Sequence, residues 1–175
     1  MSILGVDPGL GVTGFALLDD GPSGQLVFRK SGEIRTHPKT PFPERLKQIF
    51  DHILSEIDSE APSALAIEDT FLSRNFKSAM KLGQARAAAV LAAACRNRPV
   101  FEYTPTSVKM SVVGYGGATK MQVQRMVARI LQLTRPLTSE HEADAAAVAI
   151  CHIHSACCPS QTPLPLQAVS GTGRK

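Results

Sequence analysis

Residues 3–14 read ILGVDPGLGVTG, and the residue that decides their meaning is Asp7. Ile3, Leu4 and Val6 have the character of a buried strand, and Pro8 with Gly9 turns the chain directly after it. A carboxylate therefore arrives at the end of a core strand, where burying it unpaired costs several kcal/mol or a large pKa shift. A partner is required, either another side chain or a bound cation.

Reading outward from that strand, VTGFALLDD (12–20) and QLVFRKSGEIRT (25–36) are two more strands separated by the turn Gly21-Pro22-Ser23-Gly24. The first third is a β-meander. The period then changes, because Leu46, Ile49, Phe50, Ile53, Leu54 and Ile57 recur at three and four residues, with Pro43 suited to a first helical turn. ALAIE (64–68) is a short apolar run that again ends in an acid. A long helix is expected from about Asn75 to Asn97, with Ala79, Gly83 and Ala87 forming a ridge of small residues. Such a ridge admits a close helix, from this chain or from a second copy. PVFEY (99–103) is a further strand, and Thr104-Pro105 opens a helix that Gly114 ends. Thr119-x-x-Gln122 and Ser139-x-x-Glu142 are capping boxes, the first for a helix through Leu133 and the second for one running through ADAAAVAICHIH. GYGGATK is no phosphate-binding P-loop, since no glycine precedes Lys120 and Met121 stands where Ser or Thr is needed.

The chain has 175 residues, enough for one well-buried domain and too few for two ordinary ones. With 43% hydrophobic and 19% charged residues it is a globular composition. Its excess of 19 Lys+Arg over 15 Asp+Glu gives a net charge of +4, which permits nucleic acid as a partner without demanding it. The stretch AAAVLAAAC is too short to span a bilayer, and no basic-then-apolar secretory signal is read at the start. Cys95, Cys151, Cys157 and Cys158 form no CxxC pair, so zinc is not indicated and a reducing, cytoplasmic setting is expected. From Pro159 the composition turns to Pro, Ser, Gly and Gln, giving a domain over 1–158 and a disordered tail over 159–175.

Asp7, Glu68 and Asp144 each interrupt apolar surroundings on a core element. Taken singly, Asp7 can cap the glycine-rich turn and Glu68 can form an internal salt bridge. Together they suggest convergence, and carboxylates that converge repel one another unless a hard divalent cation joins them. A pair of such ions is a standard apparatus for phosphodiester cleavage. His141 lies three residues before Asp144 on the same helical face, Glu140 competes for that face at i−4, and Glu142 points elsewhere with a capping role.

The segments GVDPGLGVTG (5–14), AIEDTFLSRNFKSAMKLGQARAAA (66–89), FEYTPTSVKMSVVGYGGATKMQVQRMV (101–127) and HEADAAAVAICHIH (141–154) together resemble the RuvC family of bacterial Holliday-junction resolvases. The resemblance spans about residues 2–154, with four motifs in family order and spacing. It implies an α/β, RNase H-like fold with a five-stranded mixed sheet flanked by helices. It also implies a homodimer that nicks four-way junction DNA symmetrically, leaving 5′-phosphate and 3′-hydroxyl ends, with two Mg2+ or Mn2+ ions per site. RuvA and RuvB branch-migration proteins are its implied partners. Carried over by position, the catalytic metal ligands are Asp7, Glu68, His141 and Asp144. Many family members have Asp where this chain has His141, so the imidazole is read either as a softer ligand favouring manganese or as a proton carrier. Lys109 and Lys120 match basic residues near the scissile backbone, and Phe71 matches an aromatic that stacks on a base. Arg74 and Lys77 are phosphate contacts by position only, as are Arg125 and Arg129. Phe76 is read as packing, and His152 and His154, at i and i+2, as structural.

Three other readings stand beside this one. A sugar kinase or ATPase shares the strand-Asp-Gly opening but needs a second phosphate motif and a longer chain. A non-cleaving junction binder would have no use for all three acids. A nuclease for RNA–DNA hybrids on the same fold is left open.

Overall fold

The computed structural model describes residues 1–69 and 76–156. Phe71, Arg74, Cys157, Cys158 and the expected tail lie outside the described residues. Five strands form one sheet: β1 (Ser2–Asp7), β2 (Val12–Asp20), β3 (Leu26–Arg35), β4 (Ala64–Glu68) and β5 (Val100–Tyr103). Their order is β3-β2-β1-β4-β5. The meander β1–β2–β3 is antiparallel, while β1/β4 and β4/β5 are parallel. The expected mixed five-stranded sheet is therefore found. It is flanked by α1 (Phe42–Glu60), α2 (Phe76–Ala94), α3 (Pro105–Val113), α4 (Lys120–Ile130) and α5 (Glu140–Ala156).

Strand alternation divides the core into two layers. Leu4, Val6, Phe15, Leu17, Ile34, Leu65, Ile67 and Val100 face α1 and α2. There Ile49, Ile53 and Ile57 supply the buried stripe of α1, each side chain stabilising by about 2 kcal/mol relative to exposure. The opposite face carries Ile3, Ala16, Leu18, Ala64 and Ala66 against α3, α4 and α5. Helix α5 is buried almost all round through Ala143, Ala145, Ala146, Ala147 and Ala149. Its thin surface lets it lie directly on the sheet. A side chain at Gly5 would strike the Ala145 carbonyl, and one at Gly14 the His141 carbonyl, so both positions need glycine. That close approach sets how near α5's first turn comes to the end of β1.

The caps follow the sequence with two corrections. Thr104 caps α3 and Gly114 ends it, and the Thr119/Gln122 box is complete. Helix α4, however, stops at Ile130 with Leu131 as its cap rather than running through Leu133. At α5, Ser139 accepts the His141 N–H at 3.1 Å, but Glu142 accepts the hydroxyl of Ser31 on β3 at 2.5 Å instead of closing a box. The ridge on α2 also differs from an intrachain seam. Ala85, Ala88, Ala89, Ala92 and Ala93 face the core, whereas Gly83 and Ala87 are exposed. Phe76, expected to pack, is 73% exposed. No described helix is long and apolar enough to cross a membrane.

Candidate active site

Parallel pairing brings the first two acids together. The register that matches Ile3 with Ala64 and Val6 with Ile67 makes Asp7 and Glu68 the next residues of adjacent strands. Both project from the α5 face, as Ile3 and Ala66 do. Helix α5 then lowers His141 and Asp144 onto them, one turn apart on its inner side. Helices α3 and α4 add Lys109 and Lys120. All six side chains line one cleft of about 430 Å3.

Thr13, not Asp7, fixes the turn that follows β1. Its hydroxyl donates to the Gly9 carbonyl at 2.7 Å and accepts the Gly9 N–H at 3.3 Å. Arg45 adds a hydrogen bond to the Leu10 carbonyl at 3.0 Å. Asp7 is thereby left for the cleft, where its Oδ2 lies 2.8 Å from His141 Nδ1. Any other ligand must meet that imidazole at Nε2. Glu68 takes part in no ion pair with another of the described residues. Asp144 meets Lys120 Nζ at 3.5 Å, and the same ammonium is 3.6 Å from Glu140 at the rim.

The electrostatics are those of an acid cluster short of positive charge. Burial raises the Asp7 carboxyl above its ordinary range, with Asp144 adding to the effect and His141 opposing it. Burial, then repulsion from Asp7 and Asp144, pushes Glu68 up to about 7 despite Lys120 and Lys109. Asp144 is also raised by burial, although Lys120 counters it. Lys120 in turn is raised, chiefly by Asp144. Among the described residues no three His, Cys, Asp or Glu side chains already surround one point, since Asp7 is turned to His141 and Asp144 to Lys120. The donor set nonetheless fits a hard divalent cation: oxygen-rich, crowded, and with three carboxyls that additional positive charge would relieve.

Other residues singled out in the sequence fall elsewhere. Lys77 is exposed on the first turn of α2, and Arg125 and Arg129 are exposed on α4. His152 is buried, its ring tilted against that of Phe101 with centroids 4.5 Å apart, and its Nδ1 lies 2.7 Å from the Tyr103 hydroxyl. His154 meets Ser111 at 3.2 Å. Sequence reading missed the role of β3, which reaches α5 through Ser31 and Glu33. Its only trace is that Ser31 and Glu33 are polar at i and i+2, facing the core side where an apolar pair was due.

A family model described as Crossover junction endodeoxyribonuclease RuvC matches residues 3–152. A crossover junction endodeoxyribonuclease RuvC from Trichlorobacter lovleyi is 46% identical over 155 residues, covering 89% of this chain and 86% of the relative. The solved RuvC structure from Thermus thermophilus superposes with a TM-score of 0.87 at 32% identity, covering 94% of this chain and all of that one. The T. thermophilus RuvC in complex with Holliday junction substrate gives a TM-score of 0.86 at 29% identity, again over 94% of this chain and 100% of that one. The mixed sheet with its flanking helices is the RNase H-like fold, and this chain belongs to the family of RuvC crossover junction endodeoxyribonucleases.

Proposed function

We propose that this protein is an endonuclease that resolves four-way DNA junctions, and that Asp7, Glu68, His141 and Asp144 are its catalytic and metal-binding residues. The observation that carries the reading is the meeting of three half-buried, mutually repelling carboxyls with two lysines in one cleft, on a fold shared with a protein solved on Holliday junction substrate. Residues 1–158 are read as its nuclease domain.

Magnesium or manganese, two ions bound by those four side chains, would supply the Lewis acidity that activates water and stabilises the leaving 3′ oxygen. Asp7, Glu68 and Asp144 orient the site from three separate elements, so its geometry depends on the α5–sheet contact. Lys109 and Lys120 offset the charge of the scissile phosphate as it enters the cleft. His141, with Nδ1 engaged by Asp7, offers Nε2 either as a ligand or to take the proton from the attacking water. His141→Asp separates these roles. A ligand role predicts retained activity and a shift from manganese towards magnesium, while a proton-carrier role predicts a displaced acid limb of the pH–rate profile. Phe71, Arg74 and Lys77 belong to the proposed DNA-binding set, and products would carry 5′-phosphate and 3′-hydroxyl ends.

Symmetric nicking calls for a homodimer, with RuvA and RuvB as further partners expected from the family. The open face of α2 supports a second copy: Gly83 and Ala87 are exposed, and Leu46, Phe50 and Leu91 line an apolar groove beside them. Sedimentation tests the dimer. The function is tested by incubating the protein with a synthetic four-way junction, a linear duplex and an RNA–DNA hybrid, each with magnesium or manganese. Paired nicking confined to the junction is expected. Hybrid cleavage would favour the hybrid nuclease, and tight junction binding without nicking would favour the non-cleaving binder.

A further inference from the structure

We propose that Glu33 and Ser139 form a brace that positions His141, and through it Asp144, over the end of β1. The inference rests on the reading of His141 and Asp144 as site residues. On β3, Ser31, Glu33 and Arg35 alternate onto the α5 side, with Glu33 opposite Gly14 and Ser31 opposite Ala16. Gly14 leaves space where α5's first turn rests on the sheet. Across that space the Ser139 hydroxyl donates to Glu33, while its oxygen accepts the His141 N–H at 3.1 Å. One turn later Glu142 accepts from Ser31 at 2.5 Å. Two hydrogen bonds from one edge strand thus hold residues 139 and 142, on either side of His141.

A serine cap alone satisfies a helix N-terminus. Adding a carboxylate behind it is electrostatically awkward here, because Glu140 and Glu142 already occupy the first turn. Arg35, paired with Glu33, offsets that charge. Glu33 is only 11% exposed and stands outside the cleft that holds Asp7 and Glu68, in the adjoining one lined by Arg35, Ser139 and His141, and it reaches the site through Ser139. What it governs is the turn most prone to fray, the one that bears the imidazole 2.8 Å from Asp7. Fixing the Ser139 rotamer fixes that turn against the sheet. Glu33 and Ser139 are positioning residues.

The test uses the full chain with Glu33→Ala, Ser139→Ala, the double variant, Ser139→Thr and His141→Ala. Each of the first two is expected to slow single-turnover junction cleavage about 10–100-fold, the loss typical of outer-shell partners. Junction affinity stays within about twofold, since phosphate contacts dominate it. The double variant is no slower than either single one, and Ser139→Thr restores the rate. In metal-free protein, the side-chain 15N signals of His141 should lose their Asp7-bonded signature in both alanine variants and keep it in Ser139→Thr. Wild-type cleavage with unchanged His141 signals in both alanine variants overturns the brace while leaving the site intact, provided His141→Ala is inactive. Wild-type cleavage by His141→Ala overturns the site reading and the brace together. Should Glu33→Ala fail to fold, the Ser139→Ala and Ser139→Thr pair decides alone.

Discussion

At the end of β1 and at the end of β5 the chain buries ionisable side chains against the same helix, and the two places treat charge differently. Tyr103 and His152 are 2% and 4% exposed and share a 2.7 Å hydrogen bond. Burial raises the tyrosine and lowers the histidine, so both are held neutral and each supplies the other's partner. In the cleft, by contrast, Asp7, Glu68 and Asp144 are all raised without being neutralised by one another. The first arrangement is complete within the fold. The second gains from charge brought by something else. Burial alone therefore does not mark a working site; unmatched burial does.

The largest test of that contrast removes the unmatched charge. Asp7→Asn and Glu68→Gln should each lower junction cleavage by about a thousandfold or more, equivalent to losing roughly 4 kcal/mol of transition-state stabilisation. Junction binding should stay close to wild type, because phosphate contacts supply most of it. In metal-free buffer above pH 7 the Glu68→Gln protein should melt at a higher temperature than wild type, since a carboxylate disfavoured first by burial and then by repulsion from Asp7 and Asp144 is gone. A well-folded variant that loses binding and cleavage equally would remove these acids from catalysis.

A smaller effect is expected at Lys120, which offsets the cluster from α4. Lys120→Ala should slow cleavage about 100-fold, the low end of the range for one lost donor, and weaken binding only slightly. Its removal also leaves Asp144 without its 3.5 Å partner, so metal-free stability should fall rather than rise. Stopped cleavage with stability increased would contradict that role.

The contrast was partly legible in the sequence. Apolar runs mark the strands, and the acids ending β1 and β4 stand out because carboxylates are rare in core strands. The i, i+3 spacing of His141 and Asp144 is equally visible. What could not be read is long-range: which α5 residue faces Asp7 depends on Gly5 and Gly14 admitting the helix, and Glu142's capping role yielded to Ser31, 111 residues away. Local rules also left the Gly83 ridge open to this chain or a second copy and read Phe76 as packing, whereas α2 buries Ala85, Ala88, Ala89, Ala92 and Ala93 and turns both Gly83 and Phe76 outward. Tertiary fit, not propensity, settled each of these.

The matched pair has its own test. Tyr103→Phe keeps the ring but leaves His152 Nδ1 buried without its partner, and should cost about 1–3 kcal/mol of unfolding free energy. Metal-dependent cleavage, measured well below the melting temperature, should stay within about twofold. Loss of cleavage out of proportion to stability would make the two regions functionally linked.

The subtlest expectation is that the two regions bend the pH–stability curve in opposite directions. Glu68 is raised in the fold from 4.5 to about 7, so between those values the folded state holds more protons than the unfolded one. Its contribution is complete below pH 4.5 and is lost as pH rises through about 7. His152 is lowered by burial from 6.5, so its contribution is complete above pH 6.5 and is lost as pH falls towards its folded value. Below pH 6.5, wherever both groups titrate, the two slopes oppose each other and flatten the wild-type curve. Glu68→Gln takes away one of them. Urea midpoints in metal-free buffer should then show the variant ahead of wild type above pH 7, with its advantage shrinking steadily towards pH 4.5. Parallel curves would mean that Glu68 carries no excess proton in the fold, and that the cleft is no less satisfied than the tyrosine–histidine pair.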